Sequence, residues 1–323
     1  MKKFLPRIIY LIIVLALTII PFASASAYST ELVPDNQSKN DFVLGGGKIN
    51  LMMDPGESVT KEISLTNRLG KETTFKVEIE DFSGTKDLGN PVVLNGLKKG
   101  PYSLRDYIHP EVSEFTLKDG ERISLPVTIS IPKDSRPGGL YGAIAFSDKY
   151  PKATATSSGE MVAVEARLAY LFLVRVKGDV TEEGALKSFS ADKDFYEKGP
   201  ATLNYVVENS GNVHLNPYGV IKIKNIAGKT IEDLNIEPFY SLPESLRKNT
   251  VTFNRKFLLG KYTATLELHR GYLDKTDVID TKVISFWVVP WKILILAFAG
   301  LVLIGVLIEI VVRRFKIVRK DHV

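Results

Sequence analysis

Residues 121–131 read Glu121-Arg122-Ile123-Ser124-Leu125-Pro126-Val127-Thr128-Ile129-Ser130-Ile131. From 123 onward every odd position is aliphatic, and every even one is Ser, Thr or Pro. Side chains on a strand alternate between its faces, so the aliphatic residues share one face of an extended segment. A helical period would scatter them around the axis. The pattern recurs elsewhere: Phe75, Val77 and Ile79 alternate with Lys76, Glu78 and Glu80, and Tyr262, Ala264, Leu266 and Leu268 hold one face. Turn formers separate these segments, among them Asp54-Pro55-Gly56, Asp119-Gly120, Pro137-Gly138-Gly139 and Ser210-Gly211-Asn212. Between residues 28 and 291 there is no run of ten or more residues with an amphipathic helical period. The expected fold is an all-β exterior of two tandem Ig-like β-sandwiches.

The two ends of the chain are different in kind. Met1-Lys2-Lys3 precedes an apolar stretch from Ile8 to Ile20, and Ala23-Ser24-Ala25-Ser26-Ala27 follows. A basic start, an apolar middle and alternate small residues form a signal peptide over residues 1–27, with cleavage expected after Ala27. At the other end, residues 293–312 are apolar except for Glu309. Twenty residues at ~1.5 Å each match a hydrocarbon core of ~30 Å, so residues 292–312 are expected to form a transmembrane helix. Trp287, Trp291 and Lys292 mark the outer membrane interface. Arg313 and Arg314 open a basic tail, residues 313–323, on the cytoplasmic side. The expected product is a type I, single-pass protein of the cell membrane with most of its chain extracytoplasmic.

Charge supports this partition. The chain has 42 Lys and Arg against 37 Asp and Glu, but nine of the basic residues and two of the acidic ones belong to the ends. Residues 28–291 retain 33 basic and 35 acidic residues. The excess of positive charge is therefore a membrane signature, and a nucleic-acid partner loses its support. There is no cysteine, which excludes disulfides, thiolate metal sites and cysteine nucleophiles. The four histidines, His109, His214, His269 and His322, show no metal-ligand spacing.

A polar segment around residues 178–184 separates two alternating regions, and the sandwiches are expected at 31–177 and 185–289. Each contains a similar passage. Pro55-Gly56-Glu57 leads to Leu65-Thr66-Asn67 and a turn, and Lys198-Gly199-Pro200 leads to Val207-Glu208-Asn209 and a turn. Each Asn is of the type that suits left-handed backbone. Shared ancestry and two solutions to one fold both account for the likeness.

Candidate chemistry is sparse. Gly45-Gly46-Gly47 precedes a strand, but no helix bearing Lys-Ser or Lys-Thr follows, so a phosphate loop is not indicated. No nucleophile elbow, His-centred triad or pair of carboxylates across a cleft can be assembled. No enzyme, cofactor or metal is expected. The most suggestive stretch is residues 100–109, where a turn over Ser103-Leu104-Arg105-Asp106-Tyr107 could be a short helix capped by Ser103. Tyr102, Arg105, Tyr107 and, further on, Tyr141 are candidate ligand-binding residues, because aromatic and Arg side chains on an insertion make binding hot spots. The alternative is that Leu104, Tyr107 and Ile108 plug the open end of the sandwich.

Several motifs occur in one order over residues 31–177: Pro55-Gly56-Glu57, Leu65-Thr66-Asn67, Ser103-Leu104-Arg105-Asp106-Tyr107-Ile108, Asp119-Gly120-Glu121, Ile131-Pro132-Lys133-Asp134 and Pro137-Gly138-Gly139-Leu140-Tyr141-Gly142-Ala143. This region resembles the N-terminal, peptidoglycan-binding-type domain of the bacterial WxL-interacting proteins. The resemblance implies an Ig-like fold, a surface location and attachment of the first domain to peptidoglycan or a wall-associated protein. The second region is short for that family, so binding of host matrix does not carry over.

Two functional classes follow. The first is a non-enzymatic, membrane-anchored surface protein that binds the cell wall. The second is an assembly or chaperone-like exported protein that complements a client strand at a sheet edge, with the strands around residues 123–131 and 161–176 as candidate edges.

Overall fold

The computed structural model describes residues 28–33, 39–90, 92–96, 98–151, 153–155, 161–163, 166–255 and 258–314. The expected signal peptide and the tail beyond Arg314 lie outside the described residues.

The first thirteen strands form a pair of sheets from eleven of them and one separate hairpin. They are β1 (Ser29–Leu32), β2 (Asp41–Leu44), β3 (Lys48–Met53), β4 (Ser58–Arg68), β5 (Thr73–Gly84), β6 (Val92–Leu94) and β7 (Ile108–Pro110). They continue with β8 (Glu114–Leu117), β9 (Glu121–Ser130), β10 (Gly138–Asp148), β11 (Ala153–Ala155), β12 (Met161–Ala163) and β13 (Arg167–Val176). One sheet has the order β1-β9-β4-β2 with β7 also on β9; the facing sheet has the order β3-β13-β10-β5-β6 with β8 on β5. The hairpin β11-β12 stands apart from both.

The alternating stretch of β9 supplies one wall of the core. Ile123, Leu125, Val127 and Ile129 are buried and meet Phe75, Phe115, Phe146 and Phe172 from the opposite sheet. Burying each such side chain is worth roughly 1.5–3 kcal/mol. On the outer face hydroxyls pair across strands, Ser58 with Ser130 at 2.8 Å and Thr60 with Thr128 at 2.9 Å. Pro126 is tolerated because its carbonyl, which accepts from Glu111 N–H at 3.1 Å, points away from β4. Its missing N–H faces the same way, between the start of β1 and the end of β7, so the β4 ladder loses no bond.

Gly45–Gly47 is where the chain changes sheets, since β2 pairs with β4 and β3 pairs with β13. Gly45 N–H donates to Ser64 O at 2.8 Å. A Cβ at Gly45 would lie 2.0 Å from Ser64 Oγ, and Gly46 has φ +93°, so the crossing needs glycine at both places.

Eight further strands form a second pair: β14 (Gly184–Ala191), β15 (Phe195–Tyr196), β16 (Ala201–Asn209), β17 (Tyr218–Asn225), β18 (Thr230–Ile236), β19 (Ser245–Phe253), β20 (Gly260–His269) and β21 (Ile279–Val288). Their sheets are β14-β16-β19 and β15-β21-β20-β17-β18. Leu203, Tyr205, Val207, Ile221, Phe253, Leu266 and Phe286 fill the space between them.

The final helix, α1 (Trp291–Arg314), is 24 residues long with none buried, and an 18-residue window of it has a mean hydropathy of 2.9. At ~1.5 Å per residue it is about 36 Å long. Only Val289 and Pro290 separate it from β21. Trp291 N–H donates to Val289 O at 2.7 Å and Leu294 N–H to Pro290 O at 3.0 Å, so the helix starts directly from the strand. The chain is thus mostly β-sandwich with one apolar C-terminal helix.

Candidate functional site

The stretch around residues 100–109 forms a 3₁₀ turn, Arg105–Tyr107, but Ser103 does not cap it. The Ser103 hydroxyl is buried and has no hydrogen-bond partner among the described residues. The cap comes from β5. Asp81, fully buried, accepts from Leu104 N–H at 3.1 Å and Arg105 N–H at 3.0 Å with one carboxylate oxygen, and from Gly100 N–H at 3.0 Å with the other. Leu104 and Ile108 are buried in the first core, and Tyr107 packs against it. Arg105 is partly exposed and donates to Gly96 O at 3.4 Å.

The four ligand candidates do not converge. Tyr102 turns toward the second sheet pair, donating to Glu244 Oε1 at 2.9 Å, and burial followed by this carboxylate raises its hydroxyl pKa to about 12. Tyr141, expected as a ligand contact, is buried. Its hydroxyl meets His214 Nδ1 at 3.2 Å, and its ring lies edge-on to Tyr102 and His214. Its place near the start of β10, under the loop that carries Tyr240 and Leu242, keeps solvent away from the ring.

What the chain brings together instead is the junction between its two sheet pairs. Phe82, Tyr141, Ala143 and Leu173 from the first pack against Leu242 from the second. Main-chain bonds cross from Gly139 N–H to Asn212 O at 2.8 Å and from Leu246 N–H to Thr85 O at 2.9 Å. Arg175, on β13, is buried against Glu182 at 2.8 Å and also pairs with Asp274. His214 is buried beside these groups, and burial followed by the charge of Arg175 pushes its pKa down to about 4.

A cavity of about 190 Å³ opens at this junction. Its apolar lining includes Phe82, Leu171 and Leu173 on one side and Phe239, Tyr240 and Leu242 on the other. Lys48 and Arg247 complete it. Lys48 Nζ lies 4.3 Å from the centroid of the Tyr240 ring. Arg247 Nε is buried with no hydrogen-bond partner among the described residues.

Lys48 begins β3, and among the described residues β3 is paired on one side only. Leu171 N–H donates to Gly47 O at 2.9 Å and Lys177 N–H to Met53 O at 2.9 Å, which turns the odd-numbered main-chain groups of β3 toward β13. By the two-residue period, N–H and C=O of Lys48, Asn50 and Met52 face outward. These three residues are exposed, Met52 by 49%. The strands expected from sequence to offer an edge are covered over part of their length. β9 lies between β4 and the pair β1 and β7, while β3 covers Leu171–Val176 of β13.

Toward the helix, Trp287 and Trp291 are exposed, and Lys292 Nζ pairs with Glu197 at 2.9 Å while lying 5.3 Å from the centroid of the Trp291 ring. At the far end of α1, Arg313 pairs with Glu309 one turn earlier, and Arg314 is exposed. Among the described residues no three His, Asp or Glu side chains gather as a metal site requires.

No family model matches the sequence, and no curated protein matches it. Solved structures similar to the chain include several chaperones. The class 5 fimbriae chaperone CfaA has 12% identity and a TM-score of 0.38, with 75% of this chain and 99% of that one covered. The chaperone DraB of E. coli has 14% identity and a TM-score of 0.32 over 76% and 96%. The CupB2 chaperone of Pseudomonas aeruginosa has 9% identity and a TM-score of 0.33 over 76% and 100%. At these values the likenesses carry none of the chain's residues into a function. The expected membership of the WxL-interacting family is corrected: no family model matches the sequence, residues 31–177 included. Peptidoglycan as the partner rested on that resemblance alone and falls with it.

Proposed function

We propose that the chain is an exported, membrane-anchored, non-enzymatic assembly factor that holds an extended segment of a client protein against the open edge of β3. In this reading residues 1–27 are the signal peptide, 31–177 and 185–289 are tandem Ig-like sandwiches, and 292–312 cross the membrane with the C-terminus in the cytoplasm. The observation that carries the client reading is the unpaired side of β3. Outward main-chain groups at Lys48, Asn50 and Met52 offer a ladder to an incoming strand, and the strand's first residue stands at the junction cavity. Main-chain bonds give such an edge its affinity, and a neighbouring pocket selects the side chain that follows. Exposed edges are ordinarily blunted by charge, Pro or bulges, but here Asn50 and Met52 leave most of the edge uncharged.

A photo-crosslinking residue at position 50 in growing cells tests the proposal. The expected result is a product that maps to one extended, strand-forming segment of an exported protein, and that is absent when the same residue is placed at exposed Lys133. Equal products from both positions, or none from position 50, would overturn it.

A further inference from the structure

Four exposed apolar side chains surround the point where the second sheet pair meets α1. They come from three separate parts of the chain: Phe195 on β15, Leu259 just before β20, and Trp287 and Trp291 at the strand–helix joint. Their exposures are 69%, 53%, 39% and 52%. Strand pairing gathers them. Phe195 is the parallel partner of Trp287. The register of β20 on β21 pairs Gly260 with Val288, which brings Leu259 alongside Val289. Trp287 N–H donates to Asp194 O and Val289 N–H to Tyr196 O, both at 2.8 Å, so the β15 segment is fixed to the joint. Lys292 and Glu197 add an ion pair between helix and segment. A cavity of about 460 Å³ lies between Phe195, Tyr196, Glu197, Val289 and Trp291.

Among the described residues Phe195 and Leu259 belong to none of the buried cores. They lie at the one end where the chain runs straight into a helix long enough to span a bilayer. That helix, at about 36 Å, exceeds a ~30 Å hydrocarbon core and places Trp291 in the headgroup layer. Four residues of extended chain reach at most ~14 Å, so Trp287 and its strand neighbour Phe195 stay close to that layer. We propose that Phe195, Leu259, Trp287 and Trp291 form a foot that inserts into the outer headgroup region of the lipid bilayer and holds the second sheet pair at a fixed tilt. The foot rests on the membrane-anchored reading above and extends it from a single tether to a surface contact.

Trp287 and Trp291 are the only tryptophans in the chain, which makes the test direct. The full chain is reconstituted into phosphatidylcholine–phosphatidylglycerol vesicles whose acyl chains are brominated near the glycerol. Trp291→Phe leaves Trp287 as the reporter, and Trp287→Phe leaves Trp291. The foot requires at least twofold quenching of each reporter by bromine. Adding Phe195→Asp and Leu259→Asp should abolish quenching of Trp287 and leave that of Trp291. Quenching of Trp291 with Trp287 open to aqueous acrylamide overturns the foot while sparing the anchor. Loss of quenching at both positions overturns the anchor itself.

Discussion

Asn67 and Asn209 perform the same task in the two sheet pairs. Each stands near or at the end of a strand, is fully buried, and accepts the N–H two residues on, from Leu69 at 3.0 Å and from Gly211 at 2.9 Å. Each amide donates to the carbonyl four residues on, Lys71 O or Val213 O, at 2.8 Å. Each also donates to a distant part of the chain, Leu117 O at the end of β8 at 2.9 Å or Ser241 O at 2.8 Å. Neither adopts left-handed backbone, because the side chain closes the turn and the main chain stays extended. The repeated passages therefore share a physical role as well as a pattern: one buried amide satisfies a turn and a distant part of the chain together.

That role predicts a specific loss. Asn67→Asp keeps the shape and the acceptor but removes the donor, leaving Leu117 O and Lys71 O facing a carboxylate. Destabilisation of about 3 kcal/mol is expected, since a buried polar group without a partner costs roughly 1–3 kcal/mol. Urea unfolding of the full chain in detergent measures it. Asn67→Asp should be at least as damaging as Asn67→Ala.

The buried pair of Arg175 and Glu182 yields a second prediction. Glu182 also accepts Leu273 N–H at 2.8 Å and Asp274 N–H at 3.0 Å, so it holds β13 and the loop before β21 together. Glu182→Ala removes the buried partner of the guanidinium, leaving it Asp274 alone, and unpairs the N–H groups of Leu273 and Asp274, so it should cost about 3–5 kcal/mol, whereas replacing both Arg175 and Glu182 with apolar residues should cost less. Thermal unfolding of the single and double variants separates the two cases.

His214 sets a pH dependence at the junction. Its pKa is about 4 in the folded chain against about 6.5 for an exposed imidazole, so the unfolded chain binds more protons between these values. Its contribution is complete above pH 6.5 and is lost as the pH falls toward 4, a change of about 3 kcal/mol. His214→Phe should flatten this part of the stability profile, measured by urea titration at pH 4, 5, 6 and 7. An unchanged slope would show that other groups set it.

How much of this was legible in the sequence depends on the range of the interaction concerned. The aliphatic face of residues 123–131 and the apolar run at 293–312 are local patterns, and β9 and α1 are built on them. The Asp81 cap was not legible, because the acid lies more than twenty residues before the turn it closes and has no spacing signal. The same limit applies to sheet edges. Alternation marks residues 123–131 and 161–176 as strands, but strand order decides which backbone is open, and it arises from long-range pairing. The edge strand that reaches the junction cavity is the one after Gly45–Gly47, a glycine run that carries no chemistry of its own yet marks the crossing between sheets.

The unpaired side of β3 predicts that neighbouring residues will respond oppositely to the same change. Proline removes an N–H, and its effect depends on where that N–H points. At Asn50 the group faces outward, so Asn50→Pro leaves the β13 ladder intact and removes one bond offered to a client. At Leu51 the group faces β13, and Leu51→Pro breaks the ladder beneath a side chain packed against the first core. Asn50→Pro is expected to keep the wild-type unfolding midpoint within a few degrees and to abolish crosslinking to the client from exposed Met52. Leu51→Pro is expected to lower the midpoint by far more. Hydrogen exchange on the wild-type chain supplies the matching measurement: amides of Lys48, Asn50 and Met52 should exchange rapidly in the free protein, those of Ile49, Leu51 and Met53 slowly, and the first set should become protected when the client is bound. Uniform protection along β3 in the free chain would mean that its outer edge is already occupied, and the client site would then have to lie elsewhere.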